Sequence, residues 1–314
     1  MRFNEIVDHV MPHLQSTDAR ILDIGCATGG LLSAWGARGF RYAIGADPSL
    51  TCAEYARRCH GVEVRVEAIA RMGSWTERFE LITMVGVLEH LRDVGPAIGV
   101  ASKLLAPGGM LYCAVPDVQG VCRCANAPFQ QFSVEHVNFF TLQSLCAFMA
   151  GAGMEAIQTW RHTVQWREDI YEPVASGLFK LGRTVEPGHD SSTEPGLADY
   201  ISQSSNDDDR FARVLDGLRQ CGEQVIVWGA GTLTRRLLAA GLLSKENILA
   251  FVDSNPLLQG SLLVGRPILP PDELLSRKED ILICTGPFEH EIIQAIRTRL
   301  CLKKRIISLR GTVG

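Results

Sequence analysis

Short apolar runs alternate with longer amphipathic stretches over the first half of the chain, the rhythm of strands and helices taken in turn. The sharpest junction is residues 20–30, R-I-L-D-I-G-C-A-T-G-G, where an apolar run closed by Asp23 leads into Gly25, Gly29 and Gly30. That pattern predicts a strand turning abruptly into a helix. The helix, L-L-S-A-W-G-A-R-G, stops at Gly39, and R-Y-A-I-G-A-D forms a second strand ending in Asp47. V-E-V-R-V reads as a third strand and F-E-L-I-T-M-V as a fourth that breaks at Gly86, while a Pro-Gly-Gly turn feeds a fifth, M-L-Y-C-A-V-P. Thr141 reads as the N-cap of a helix that stops at Gly151, and residues 155–169 alternate well enough for closing hairpin strands. Ahead of these, I-V-D-H-V-M-P-H-L predicts a helix kinked at Pro12, with His9 and His13 on a solvated face.

Residues 180–210 are rich in Gly, Pro, Ser and Asp and break the hydrophobic pattern, so they read as a linker or lid. The Asp207–Asp209 run inside them reads as a solvated helix start rather than a metal site. From Gln224 the strand, glycine turn and helix recur in V-I-V-W-G-A-G-T-L-T-R-R-L-L, followed by strands I-L-A-F-V-D, I-L-I-C-T-G and R-I-I-S-L. The expected organisation is α/β in both halves, with a first domain at 1–170, a linker with a helix at 171–220 and a second domain at 221–314.

The composition changes this picture little and narrows the function. A chain of 314 residues, 46% hydrophobic and 21% charged, is of ordinary globular character. A net charge of -4 argues against a basic nucleic-acid groove as the main surface. The sequence holds no long uncharged apolar run, and its N-terminal residues carry acids, so a cytoplasmic protein without a membrane span is expected. Ten cysteines scattered through predicted elements fit reduced thiols. Cys122 and Cys124 with His136 lack the paired spacing of a structural zinc site, and no metal is expected.

The glycine turn carries the chemistry. A dinucleotide fingerprint would read G-x-G-x-x-G, whereas this turn reads D-x-G-x-x-x-G-G. Asp23 at the strand tip suits an ammonium better than a pyrophosphate, so an amino-acid-bearing nucleoside is the expected ligand; tight helix-to-sheet packing is the other use of such a turn. Asp47 lies 24 residues beyond Asp23, near the offset at which an acid takes ribose hydroxyls in nucleotide-binding α/β units. This turn, Asp47, the Leu-Glu-His-Leu at 88–91 and the Pro-Gly-Gly at 107–109 occur in the order seen in class I S-adenosylmethionine-dependent methyltransferases, which the first half of the chain resembles. The resemblance implies a seven-stranded Rossmann-like domain followed by a second, smaller Rossmann-like α/β domain. It also implies that S-adenosyl-L-methionine is held by Asp23, Gly25, Cys26 and Gly29 at the first turn, Asp47 and Pro48 at the second strand, Ala68 and Ile69 after the third, and Val85 at the end of the fourth.

Residues 130–141, Q-Q-F-S-V-E-H-V-N-F-F-T, place an acid, an imidazole and an amide in a loop above the carboxyl ends of the strands. The segment is similar to one in methyltransferases acting on sugars and small metabolites, including sugar C-methyltransferases, and implies acid/base roles for Glu135 and His136. Transfer from a sulfonium requires mainly alignment and removal of one proton from the acceptor, which a His with an ordinary pKa near 6.5 can accomplish. Anchoring the loop is the alternative role for His136, and capping the alternative for His90, whose place in Leu-Glu-His-Leu also admits catalysis.

In the second half, Gly229 and Gly231 begin a dinucleotide pattern, but Thr234 stands at its third glycine. The unit resembles the C-terminal domain of the sugar C-methyltransferases and nucleotide-sugar-sensing domains. That implies acceptor binding or homodimer contacts, with a purely structural domain as the alternative. Those C-methyltransferases begin with a cysteine-rich zinc module, and the absence of any Cys-x-x-Cys here sets O- and N-methylation level with C-methylation. The expected activity is methyl transfer to a sugar-like or other small polar acceptor, glycan or nucleotide-linked compounds included. A nucleotide-binding oxidoreductase or sensor using the C-terminal glycine turn, and a silent assembly protein, are the competing readings.

Overall fold

The computed structural model describes residues 2–122, 124, 127–132, 135–167, 170–186, 188–286 and 288–313. They divide by contacts into a unit of residues 1–124, 131–166 and 171–200 and a second of residues 125–130, 167–170 and 201–314.

The first unit is a seven-stranded sheet of β1 (Ile21–Ile24), β2 (Ala43–Asp47), β3 (Glu63–Val66), β4 (Phe79–Val85), β5 (Leu105–Pro116), β6 (Met154–Arg167) and β7 (Ile170–Leu181), in the order β3-β2-β1-β4-β5-β7-β6. β1 to β5 are parallel, and β7 runs antiparallel to β5. The helices are α1 (Arg2–Val10), α2 (Gly30–Ala37), α3 (Leu50–His60), α4 (Val94–Leu104), α5 (Val118–Val121) and α6 (Leu142–Gly151). Side chains alternate across the sheet. Leu22, Ile24, Ile82 and Met84 join one core with Ile98 of α4 and Leu145 of α6, whereas Ile21, Leu81 and Tyr112 join another with Val7 of α1 and Trp35 of α2. Burial on both faces is why the central strands read as unbroken apolar runs.

The second unit repeats the scheme with β8 (Val225–Trp228), β9 (Ile248–Val252), β10 (Leu262–Leu263), β11 (Arg266–Leu269), β12 (Asp280–Ile283), β13 (Ile306–Ser308) and β14 (Gly311–Val313), ordered β10-β11-β9-β8-β12-β13-β14. Its helices are most of α7 (Thr193–Gln220), then α8 (Thr232–Ala239) and α9 (Glu289–Gln294). Phe211, Leu215 and Leu218 of α7 fall on one face of the helix and enter the core with Val225 and Leu237.

Several expectations change. The boundary expected at 170 falls at the start of β7, which belongs to the first sheet because it pairs with β5 from Met110 to Pro116. Residues 193–220 are one helix, and the Asp207–Asp209 run lies in its interior: Asp207 pairs with Arg210 at 2.8 Å and Asp208 meets both terminal nitrogens of Arg236 at 2.6 Å. His9 is not solvated but stacks on Trp160 with centroids 5.0 Å apart, its Nδ1 buried. Residues 168 and 169 of the expected hairpin lie outside the described residues. Among the described residues, no helix is long and apolar enough to cross a membrane.

Candidate functional site

The glycine turn owes its shape to two crowded positions. Gly25 (φ +71°) and Gly29 (φ +79°) sit in the left-handed region, and a Cβ would come within 2.5 Å of Val87 at the first and 2.8 Å of Val62 at the second. Gly29 then caps α2. The turn is fastened from the neighbouring strand: Asp47 accepts the Ala27 N–H at 2.9 Å with one carboxylate oxygen and the Ser49 N–H at 2.8 Å with the other, while Gly25 N–H donates to Ala46 O at 2.8 Å.

Asp23 is buried within β1 and accepts the Thr83 hydroxyl at 2.6 Å. Burial pushes its carboxyl up to about 7; the Thr83 hydrogen bond opposes that rise and the nearby Asp47 adds to it. A cation placed against this carboxyl would favour its ionised form. Burial likewise pushes the Cys26 thiol up, so it is a packing group in the turn rather than a thiolate. Asp23, Gly25, Cys26, Gly29, Asp47, Pro48, Ala68 and Val85 all stand at the carboxyl edge formed by β1 to β4. Ile69 follows Ala68 there, but its side chain packs into the core, leaving Ala68 as the more accessible of the two.

Beyond the carboxyl end of β4, the loop carrying His136 is stitched to the short turn Leu88–His90. The Glu89 carbonyl accepts Val137 N–H at 2.8 Å and Asn138 N–H at 3.1 Å, and the Asn138 amide donates to Leu88 O at 3.0 Å and Leu91 O at 2.6 Å. His90 Nδ1 donates to the Glu135 carbonyl at 2.8 Å, since a carbonyl can only accept. That bond assigns the Nδ1 proton and orients the ring. The His90 and His136 rings meet edge to face with centroids 4.9 Å apart. Burial holds His136 below the usual imidazole range and His90 adds to the effect, against the opposing pull of Glu172 and Glu135. The neutral form of His136 is therefore favoured over the charged one. Glu135 is exposed and supplies its carbonyl to His90; residues 133 and 134 beside it lie outside the described residues.

Glu89, His90 and His136 each offer a ligand atom within 4.8 Å of one another, a spacing a divalent ion could bridge. Cys122 and Cys124 are not part of that group. Sequence reasoning passed over Thr83, whose only signal is a hydroxyl in an apolar strand, and the buried Glu89, whose partners come from residues far along the chain.

In the second unit, Asp253 accepts Ala230 N–H at 2.8 Å and Asn255 N–H at 2.8 Å, the same two bonds Asp47 makes around its own turn. Thr234, at the expected third glycine, is buried and donates to Gly229 O at 2.6 Å. It ties the helix to the turn.

A family model described as "Methyltransferase domain" matches residues 2–159, and one described as "C2185-like, N-terminal" matches residues 221–307. The chain is 24% identical to the C-methyltransferase NovU of Streptomyces niveus over 321 aligned positions, covering 92% of this chain and 72% of NovU. It is 38% identical over 101 residues to the ubiquinone biosynthesis O-methyltransferase of Chelativorans sp. (strain BNC1), covering 30% of this chain and only 39% of that relative's length. The solved N-methyltransferase NodS of Bradyrhizobium japonicum WM9 aligns at a TM-score of 0.43 and 19% identity, over 58% of this chain and 98% of that one.

Proposed function

The chain belongs to the methyltransferase-domain family, and on that premise we propose that it methylates a sugar-like or other small polar acceptor, with S-adenosylmethionine as the donor and His136 as the proton acceptor. The observation that carries the reading is Asp47, whose carboxylate clasps the glycine turn at Ala27 and Ser49 beside the buried Asp23. The donor set fits the cofactor: one acid for an ammonium, one for a ribose diol, and a glycine turn that admits close approach. When bound, S-adenosylmethionine supplies the methyl group already activated on a sulfonium.

The chain's own groups do the rest. Asp23 pairs with the ammonium, Asp47 accepts the ribose hydroxyls through its remaining lone pairs, and Ala68 with the backbone of Ile69 flanks the base. His136, neutral and braced by His90, takes the proton that the acceptor loses as its oxygen, nitrogen or acidic carbon gains the methyl. NovU is named a C-methyltransferase and the ubiquinone relative an O-methyltransferase, and both chemistries require a base at this place. The free state of all ten cysteines suits the reducing cytoplasm as the compartment, and homodimer contacts are a role for the second unit.

Calorimetric titration with S-adenosylhomocysteine and with NAD tests this. Binding of the first alone is expected; binding of NAD alone would favour an oxidoreductase. A second reading rests on the cluster of Glu89, His90 and His136, in which a divalent ion would lower the pKa of an acceptor hydroxyl in place of the imidazole. Elemental analysis of the purified protein separates the two, since stoichiometric metal lost in His136→Ala would require the second.

A further inference from the structure

We propose that Arg161 recognises an anionic substituent, a phosphate or a carboxylate, on the acceptor; this rests on the methyl-transfer reading and narrows its substrate class. Asp117 follows β5 directly and so stands on the same carboxyl edge of the sheet as the turn that leaves β4. It is almost wholly buried and spends one oxygen on the Gln119 N–H at 3.2 Å, capping α5. Its other oxygen accepts Arg161 Nε at 2.7 Å.

The way the pair is made is informative. A buried carboxylate needs a compensating charge, and Arg161 provides it through Nε alone. The side chain remains 45% exposed, and among the described residues its two terminal nitrogens have no hydrogen-bond partner. A guanidinium fixed at its inner nitrogen presents the outer two as a planar fork, the geometry that matches two oxygens of a phosphate or carboxylate. The pair is neutral as a whole, so attraction would come from directed hydrogen bonds rather than from net charge.

The fork is also tied to the catalytic loop. Val118, next to Asp117, donates its N–H to Phe140 O at 2.9 Å, and Phe140 ends the loop that begins with Glu135 and His136. Asp117 N–H donates to Pro173 O at 2.9 Å, and the charge of the adjoining Glu172 is felt at His136. An acceptor gripped at Arg161 by its anionic end would present its other end toward the proton acceptor.

The test is residue-resolved labelling of the intact protein with phenylglyoxal, which modifies exposed guanidinium groups, in the presence of S-adenosylhomocysteine. Peptide mass spectrometry follows Arg161, with Arg299, 65% exposed and in the second unit, as the control. Inorganic phosphate or acetate at about ten times its dissociation constant should slow the labelling of Arg161 about tenfold while leaving Arg299 unaffected. Protection by phosphate alone assigns phosphorylated acceptors, and by acetate alone carboxylated ones. Labelling of Arg161 unchanged by both anions, or an Arg161 that does not react while Arg299 does, would overturn the proposal. A parallel titration with S-adenosylhomocysteine keeps the two ideas apart: binding without anion protection rejects the role of Arg161 only, whereas absence of binding rejects the methyl-transfer reading itself.

Discussion

Occupation of the glycine turn by a ligand ammonium should expel a proton from Asp23. The carboxyl stands at about 7 in the empty fold against an ordinary 3.8, because burial disfavours its charged form. At pH 6 roughly nine in ten empty molecules would carry the proton, and at pH 8 roughly one in ten. A ligand whose ammonium requires the ionised acid should then release about 0.9 proton at pH 6 and about 0.1 at pH 8, and bind about tenfold more weakly at the lower pH. Calorimetry of S-adenosylhomocysteine in buffers of differing ionisation enthalpy reads the proton count directly. The same shift has a stability consequence whose sign is fixed. The fold holds the proton more tightly than the unfolded chain, so this stabilisation is complete below about 3.8 and is lost as pH rises through about 7. A shift of about three units corresponds to as much as about 4 kcal/mol. Asp23→Asn, which can still accept the Thr83 hydroxyl, should therefore raise the melting temperature of the empty protein at pH 8 while losing the ligand. Buffer-independent enthalpies at pH 6 together with a pH-independent affinity would refute the assignment of Asp23.

Three further outcomes follow from the geometry. His136→Ala should abolish methyl transfer to a working acceptor with S-adenosylhomocysteine affinity unchanged in calorimetry; retained turnover would reject its role as base. Because His90 helps depress His136, the rate should rise with pH through a midpoint below 6.5 and level off above it, and His90→Asn should move that midpoint upward in a pH–rate profile. Thr141→Ala removes the cap of α6, where the Thr141 side chain and Ser144 N–H meet at 3.1 Å, and should cost about 1 kcal/mol in denaturant unfolding, with an unchanged midpoint rejecting the cap's importance.

The sequence disclosed what local spacing controls. The glycine turn, the 24-residue step from Asp23 to Asp47 and the Thr141 cap are set by the length of one strand, one helix and one turn, and each lies where that spacing puts it. Contacts made by residues distant in sequence were not legible. Thr83 reaches Asp23 across 60 positions, His90 reaches the Glu135 carbonyl across 45, and Arg161 reaches Asp117 across 44. The first half of α7 was hidden by its Ser- and Asp-rich composition, and the helix expected from the Asp207–Asp209 run is only its second half, where Phe211, Leu215 and Leu218 carry a helical stripe. β10 and β14, the outermost strands of the second sheet, and β11 beside β10 were missed: β10 is two residues long, β11 carries Pro267 and β14 opens on a glycine, so none of them shows an apolar run. His9 read as solvated because the ring that covers it, Trp160, comes from a strand at the far end of the same sheet.

The central claim, that Asp23 and Asp47 hold the two ends of a sulfonium-bearing nucleoside, is met most directly by a crystal structure of the protein with S-adenosylhomocysteine. The ligand is expected with its ribose hydroxyls within hydrogen-bond distance of Asp47 and its ammonium against Asp23. A ligand lodged on the Gly229 turn, or ribose hydroxyls that do not reach Asp47, would contradict it.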